Sequence, residues 1–101
     1  MTDHEILEDA CLTLEQLCAA AALERAWLIR HVEEGFMPVT FAVPGTVIAE
    51  WRFTTIHITR ARRMMEIERT YGAEPELAAL VADMLEEMDS LRARLRRGGL
   101  S

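Results

Sequence analysis

The chain has no lysine, only two cysteines and few aromatic residues, and none of its apolar runs approaches the length of a membrane span. Each shortage excludes something. Cys11 and Cys18 stand seven residues apart with no second pair, which is too little for a disulfide scaffold or a zinc site. Two free thiols fit a reducing, cytoplasmic setting. No basic stretch followed by an apolar one opens the chain, so a soluble cytoplasmic protein with no membrane partner is expected. With 2 Trp, 1 Tyr and 3 Phe, the core must be built from Leu, Ala, Val, Ile and Met, a mixture that suits helices. There is no glycine-rich phosphate loop and no nucleophile elbow. His4, His31 and His57 fall in separate segments, and Glu33–Glu34 is an adjacent pair whose members point to different faces of a helix. No enzymatic activity, metal or cofactor is expected.

What is present is an uneven charge. The net charge is −6, and every one of the 11 basic residues is arginine. Residues 1–50 hold nine acids against Arg25 and Arg30, and the second half is nearly balanced. The N-terminal half should repel phosphate and attract a basic partner.

At 101 residues the chain is one small domain, with room for an extended helix. Residues 1–11 read as a flexible arm or a short edge strand. Thr13 and Gln16 have capping-box spacing, and Leu12 and Leu17 flank them at staple positions, so a helix is expected from about 14 to 20. A second helix is expected from about 24 to 34, stopped by Gly35, with Leu28, Ile29, Val32 and Phe36 on its buried stripe. Trp27, Arg30, His31 and Glu34 fall on another face. Val39, Phe41 and Val43 alternate before Pro44–Gly45, and Val47, Trp51 and Phe53 follow it, which predicts a short β-hairpin. Thr54 or Thr55 should cap a third helix that ends at Gly72. Pro75 suits the first turn of a last helix reaching about Arg97, with acids near its start and arginines near its end.

Helix, helix, hairpin, helix is a winged helix-turn-helix. The fold class is therefore mainly α: a winged helix-turn-helix domain over residues 1–72 with a short β-hairpin wing, then a long C-terminal helix over 73–101. That helix carries Leu77, Val81, Met84, Met88, Leu91 and Leu95 at spacings of four and three, an a/d seam three heptads long. A domain of this size can cover only part of it, so the seam is expected to pair with a second chain in a homodimer.

A helix-turn-helix reads DNA with its second helix. Here that helix has a formal charge of −1, and the wing region 36–50 holds no cation and ends in Glu50. Phosphate neutralisation is what gives DNA affinity at physiological salt, so nucleic acid is a poor fit. Arg60, Arg62 and Arg63 are expected to pair internally, with Glu66, Glu68 or the acidic N-terminal half. A protein partner fits better. Trp27 is the candidate aromatic anchor, although it could equally close the core, and Glu24, Arg30, His31, Glu33 and Glu34 are the charged rim around it.

The stretches Leu12–Cys18 (LTLEQLC), Trp27–Gly35 (WLIRHVEEG) and Trp51-Arg52-Phe53, with the ending Leu91–Arg97 (LRARLRR), resemble the chaperone modulator CbpM family. The resemblance runs from about residue 5 to 97. It implies a MerR-like helix-turn-helix that binds the J-domain of a DnaJ-like co-chaperone of the CbpA type. Binding would inhibit stimulation of DnaK by that co-chaperone, by covering the J-domain's basic helix. Two features depart from the family: the helix–helix turn Ala19–Leu23 lacks a glycine or polar residue, and the stretch between Gly35 and Trp51 is long and apolar. The alternative is a MerR-type DNA-binding transcriptional regulator, and a metal or small-ligand sensor is weaker still.

Overall fold

A computed structural model describes residues 12–40 and 47–98 of the chain. They form four α-helices and one 3-10 turn: α1 (Leu14–Ala21), α2 (Arg25–Glu33), the turn Ile48–Glu50, α3 (Thr55–Tyr71) and α4 (Pro75–Arg97). The helix ends follow local chemistry. Thr13 and Gln16 exchange the two capping-box bonds, at 2.9 and 3.1 Å. The α1–α2 turn closes without glycine because Ala22 itself takes the left-handed conformation, with φ of 57°. Gly72 does the same after α3, and Pro75 opens α4. His57 accepts the Thr54 N–H on its Nδ1, which needs that nitrogen unprotonated. Burial is the main cause that holds its pKa below the ordinary value; the Glu86 carboxylate pulls the other way, and Arg60 adds to the lowering.

The core joins α1 and α2 to α3 through Leu14, Leu17, Leu28, Phe53, Ala61 and Met64, all nearly sealed from solvent. The last helix enters this core on a face of small residues. Ala78, Ala79 and Ala82 are its buried positions, and their lack of bulk brings α4 close against α3.

The expected β-hairpin wing is not seen: there is no strand among the described residues. Over 47–53 the backbone satisfies itself locally, Glu50 N–H donating to Val47 O and Trp51 N–H to Ile48 O. The strand-like residue Phe53 pairs instead with Leu12, in an isolated antiparallel bridge with bonds of 2.8 and 3.1 Å. One further bond, Thr40 N–H to Arg52 O at 2.7 Å, ties the two sides of the segment together. Trp51 and Phe53 both turn inward with the partly exposed Arg52 between them, as in a strand, but they anchor an extended segment to the core and to Leu12, not to a hairpin partner. Phe41, Val43 and the Pro44–Gly45 turn lie outside the described residues, as does the 1–11 arm. Among the described residues no helix is long and apolar enough to cross a membrane.

Arg60 locks the assembly. It is 7% exposed; its Nε donates to Phe36 O, and its Nη1 reaches Asp83 (2.8 Å) and Glu86 (3.0 Å) on α4. One guanidinium thus holds the segment after α2, α3 and α4 together. Arg60→Ala should lower stability in urea unfolding by about 2–3 kcal/mol, discounted for the exposure of the two carboxylates. Arg92→Ala, which loses only an exposed 3.9 Å pair with Asp89, should stay within about 0.5 kcal/mol of the parent. Equal effects at the two positions would contradict the role given to Arg60.

Candidate protein-binding surface

The candidate contact residues lie on α2 and its flanks, and the structure divides them. Glu24, Arg30, Glu33 and Glu34 are exposed. Trp27 and His31 are not: they are 8% and 1% exposed and belong to the interior. The buried face of α2 is thus Trp27, Leu28 and His31, while Ile29 and Val32 are half-buried.

The cause is Glu68 of α3. Its carboxylate accepts the Trp27 Nε1–H at 3.0 Å on one oxygen and meets His31 Nε2 at 2.8 Å on the other. His31 Nδ1 lies 2.7 Å from the Trp27 carbonyl oxygen. Each ring nitrogen of His31 thus faces an oxygen acceptor. The indole stacks on the imidazole with centroids 3.7 Å apart, and Phe36 closes the far side edge-on. Every polar atom of this cluster is therefore satisfied, which is what allows it to be buried. The position of Glu68 is invisible to local pattern, because it lies 41 residues from Trp27. The four-residue spacing of Trp27 and His31 on one helix face was the available hint that they stack.

The basic run is internal, as expected, but with other partners. Arg60 and Arg63 pair with α4, Arg63 to Asp89 at 2.9 Å, in place of Glu66 or Glu68. Arg62 donates to Ala20 O, capping the end of α1. Arg25 lies 3.5 Å from Glu15 on the exposed surface. Among the described residues Glu24, Glu33 and Glu34 have no ion-pair partner. Glu33 and Glu34 also stand at the negative end of α2, where a carboxylate costs stability and a cation would be favoured.

The seam residues of α4 face solvent. Leu77, Met84, Met88, Leu91 and Leu95 are each between 44% and 58% exposed, and Val81 is half-buried. The helix therefore buries Ala78, Ala79 and Ala82 and leaves most of its leucines and both methionines outside, Leu85 being half-buried.

Cys18 is free and partly exposed; burial, chiefly, and then Glu15 push its thiol pKa up, with Arg25 opposing, so the thiol keeps its proton near neutrality. Among the described residues no three His, Cys, Asp or Glu side chains converge on a point where a metal ion would sit.

Removing the shared acceptor tests the buried cluster. Glu68→Ala should destabilise the protein by about 2–4 kcal/mol, because two buried N–H groups lose their partner. Glu68→Gln should cost less, since it keeps one acceptor oxygen. A stability for Glu68→Ala within about 0.5 kcal/mol of the parent would contradict the arrangement. No family of known proteins, no curated protein and no solved structure matches this chain.

Proposed function

We propose that this protein is a cytoplasmic chaperone modulator of the CbpM type: a homodimeric adaptor that binds the basic surface of a J-domain and inhibits its DnaJ-like co-chaperone by occupancy. One observation carries the reading. The exposed surface of the second helix presents Glu24, Glu33 and Glu34 without ion-pair partners among the described residues, while Arg60 and Arg63 of α3 are paired with carboxylates of α4 and Arg62 is bonded to the Ala20 carbonyl. A helix-turn-helix so arranged offers carboxylates at the place where a DNA reader needs cations. The same surface would steer a basic protein toward it. The DNA-regulator alternative loses Arg60, Arg62 and Arg63 as phosphate contacts.

Contact is assigned to Glu24, Arg30, Glu33 and Glu34. Trp27 and His31 support that surface from beneath and do not touch the partner. Isothermal titration with a CbpA-type J-domain tests the reading. The parent protein should bind, and Glu33→Lys with Glu34→Lys should weaken binding by about tenfold, more at low salt than at high salt. An unmutated protein that does not bind the J-domain would sink the proposal.

The dimer rests on the exposed stripe of α4. Its spacing reads the same from either end, so two identical helices can interdigitate antiparallel along it. A run of exposed leucines and methionines of this kind marks an interaction surface more often than a solvated one. Sedimentation should give twice the chain mass for the parent and a monomer for Met84→Glu or Leu91→Glu. Unchanged mass in both variants would refute the seam as the interface.

A further inference from the structure

A furrow lies beside the first turns of α4, and the sequence reading gave it no role. One wall is the end of α2 and the residues after it, Glu34 and Phe36; the other is the start of α4, with Glu74, Glu76, Leu77 and Leu80. Arg60 lies in its floor, and the deeper part encloses about 460 Å³. Its lining is mixed, with an apolar strip among the charges: Leu77 and Leu80 are 51% and 55% exposed, and Phe36 is half-buried. Its rim is acidic. Glu34, Glu74 and Glu76 have no ion-pair partner among the described residues, and the guanidinium of Arg60 is already shared by Asp83 and Glu86.

We infer that this furrow is a docking site for a basic amphipathic helix of a partner protein, which sets apolar side chains against Phe36 and Leu80 and its lysines or arginines against Glu34, Glu74 and Glu76. Three physical points carry this. A concave site with low-dielectric walls concentrates the field of its rim charges, so its uncompensated carboxylates act together on a cation. The apolar strip rewards a partner that brings hydrophobic side chains as well as charge, which a small cation or a purely basic coil does not. The furrow-side residues Glu76, Leu80 and Asp83 follow one another at four and three, so a helix can lie along α4 with its ridges in that groove.

The furrow adjoins the dimer stripe and shares Leu77 with it. On the helix surface Glu76, Leu80 and Asp83 fall between the alanine face and the line through Met84 and Leu91, whereas Leu77 belongs to the stripe itself. A second copy seated on the stripe leaves the Phe36 side open. The inference rests on the reading of the protein as an adaptor for a basic partner, and it names where the partner's helix goes: at the junction of α2 and α4, with Glu34 common to both surfaces.

The test uses the full chain and two probes. The first is a synthetic 16-residue amphipathic helix with Lys and Arg on one face and Leu on the other, followed by backbone amide shifts; the second is the J-domain. The peptide should move the amides around Gly35, Phe36, Leu77 and Leu80. Leu80→Asp, and separately Glu34→Lys with Glu76→Lys, should each weaken both probes about tenfold. Leu80 is exposed, so its replacement leaves the fold intact, which a circular dichroism melt checks. Peptide shifts confined to Met84–Leu95 or to the outer face of α2, or no peptide binding, would overturn the furrow. So would J-domain binding that Leu80→Asp leaves unchanged, which would leave the adaptor reading standing. A peptide seated in the furrow by a protein that does not bind the J-domain would support the furrow and remove the adaptor reading. Furrow variants that instead lower the sedimented mass would identify a second copy as the occupant and overturn the proposal.

Discussion

Arg60 and Arg63 of α3 are spent on ion pairs to α4, and most of the molecule's other properties follow from that. Arg60 is nearly sealed and holds two α4 carboxylates and a backbone carbonyl at once. Arg63 reaches Asp89 one turn further along the same helix. Together they fix the rotation of α4 about its own axis. With Asp83, Glu86 and Asp89 turned toward α3, the small face of Ala78, Ala79 and Ala82 is what meets the core. The leucine and methionine stripe is left pointing away. A helix free to rotate would be expected to bury its large apolar side chains, each worth roughly 1.5–3 kcal/mol on full burial, before its alanines. The ion pairs and the close alanine contact hold the opposite choice, and the stripe becomes available to another chain.

The same expenditure decides the surface electrostatics. A cation paired inside the domain no longer neutralises a carboxylate on the outside. The acids of the first half are matched by only two arginines there, and one of these, Arg25, already lies beside Glu15. The end of α2 is left with two glutamates against the negative pole of the helix dipole, an arrangement that costs the free protein stability. Local destabilisation of this kind is easier to understand as part of a binding surface than as part of a fold. The buried Trp27–His31–Glu68 cluster supplies the rigidity beneath it: two hydrogen bonds to Glu68 tie α2 to α3, and a third bond and a stacked pair brace Trp27 and His31 within α2.

Much of the architecture was legible in the sequence because it is set by short-range chemistry. The Thr13–Gln16 box, the stops at Gly35 and Gly72, and the proline start of α4 each depend on residues a few positions apart, and the helices begin and end within a residue or so of where those signals put them. The wing failed because alternation reports which residues turn inward and says nothing about what they pair with. Phe53 found Leu12, and Ile48–Glu50 closed its bonds locally. At the candidate site, the exposed glutamates were readable as charges on a helix. The inward turn of Trp27 and His31 was not, since it depends on a carboxylate delivered from another helix. Nor was the furrow, whose two walls come from segments some forty residues apart.

The central proposal is that the exposed surface of α2 serves a basic protein and not the phosphates of nucleic acid. Fluorescence anisotropy of labelled duplex DNA, titrated with the protein at low salt where phosphate contacts are strongest, tests it most directly. The account predicts no binding to the duplex at low salt, and so no salt dependence to measure. Tight binding that weakens steeply as salt is raised would contradict it.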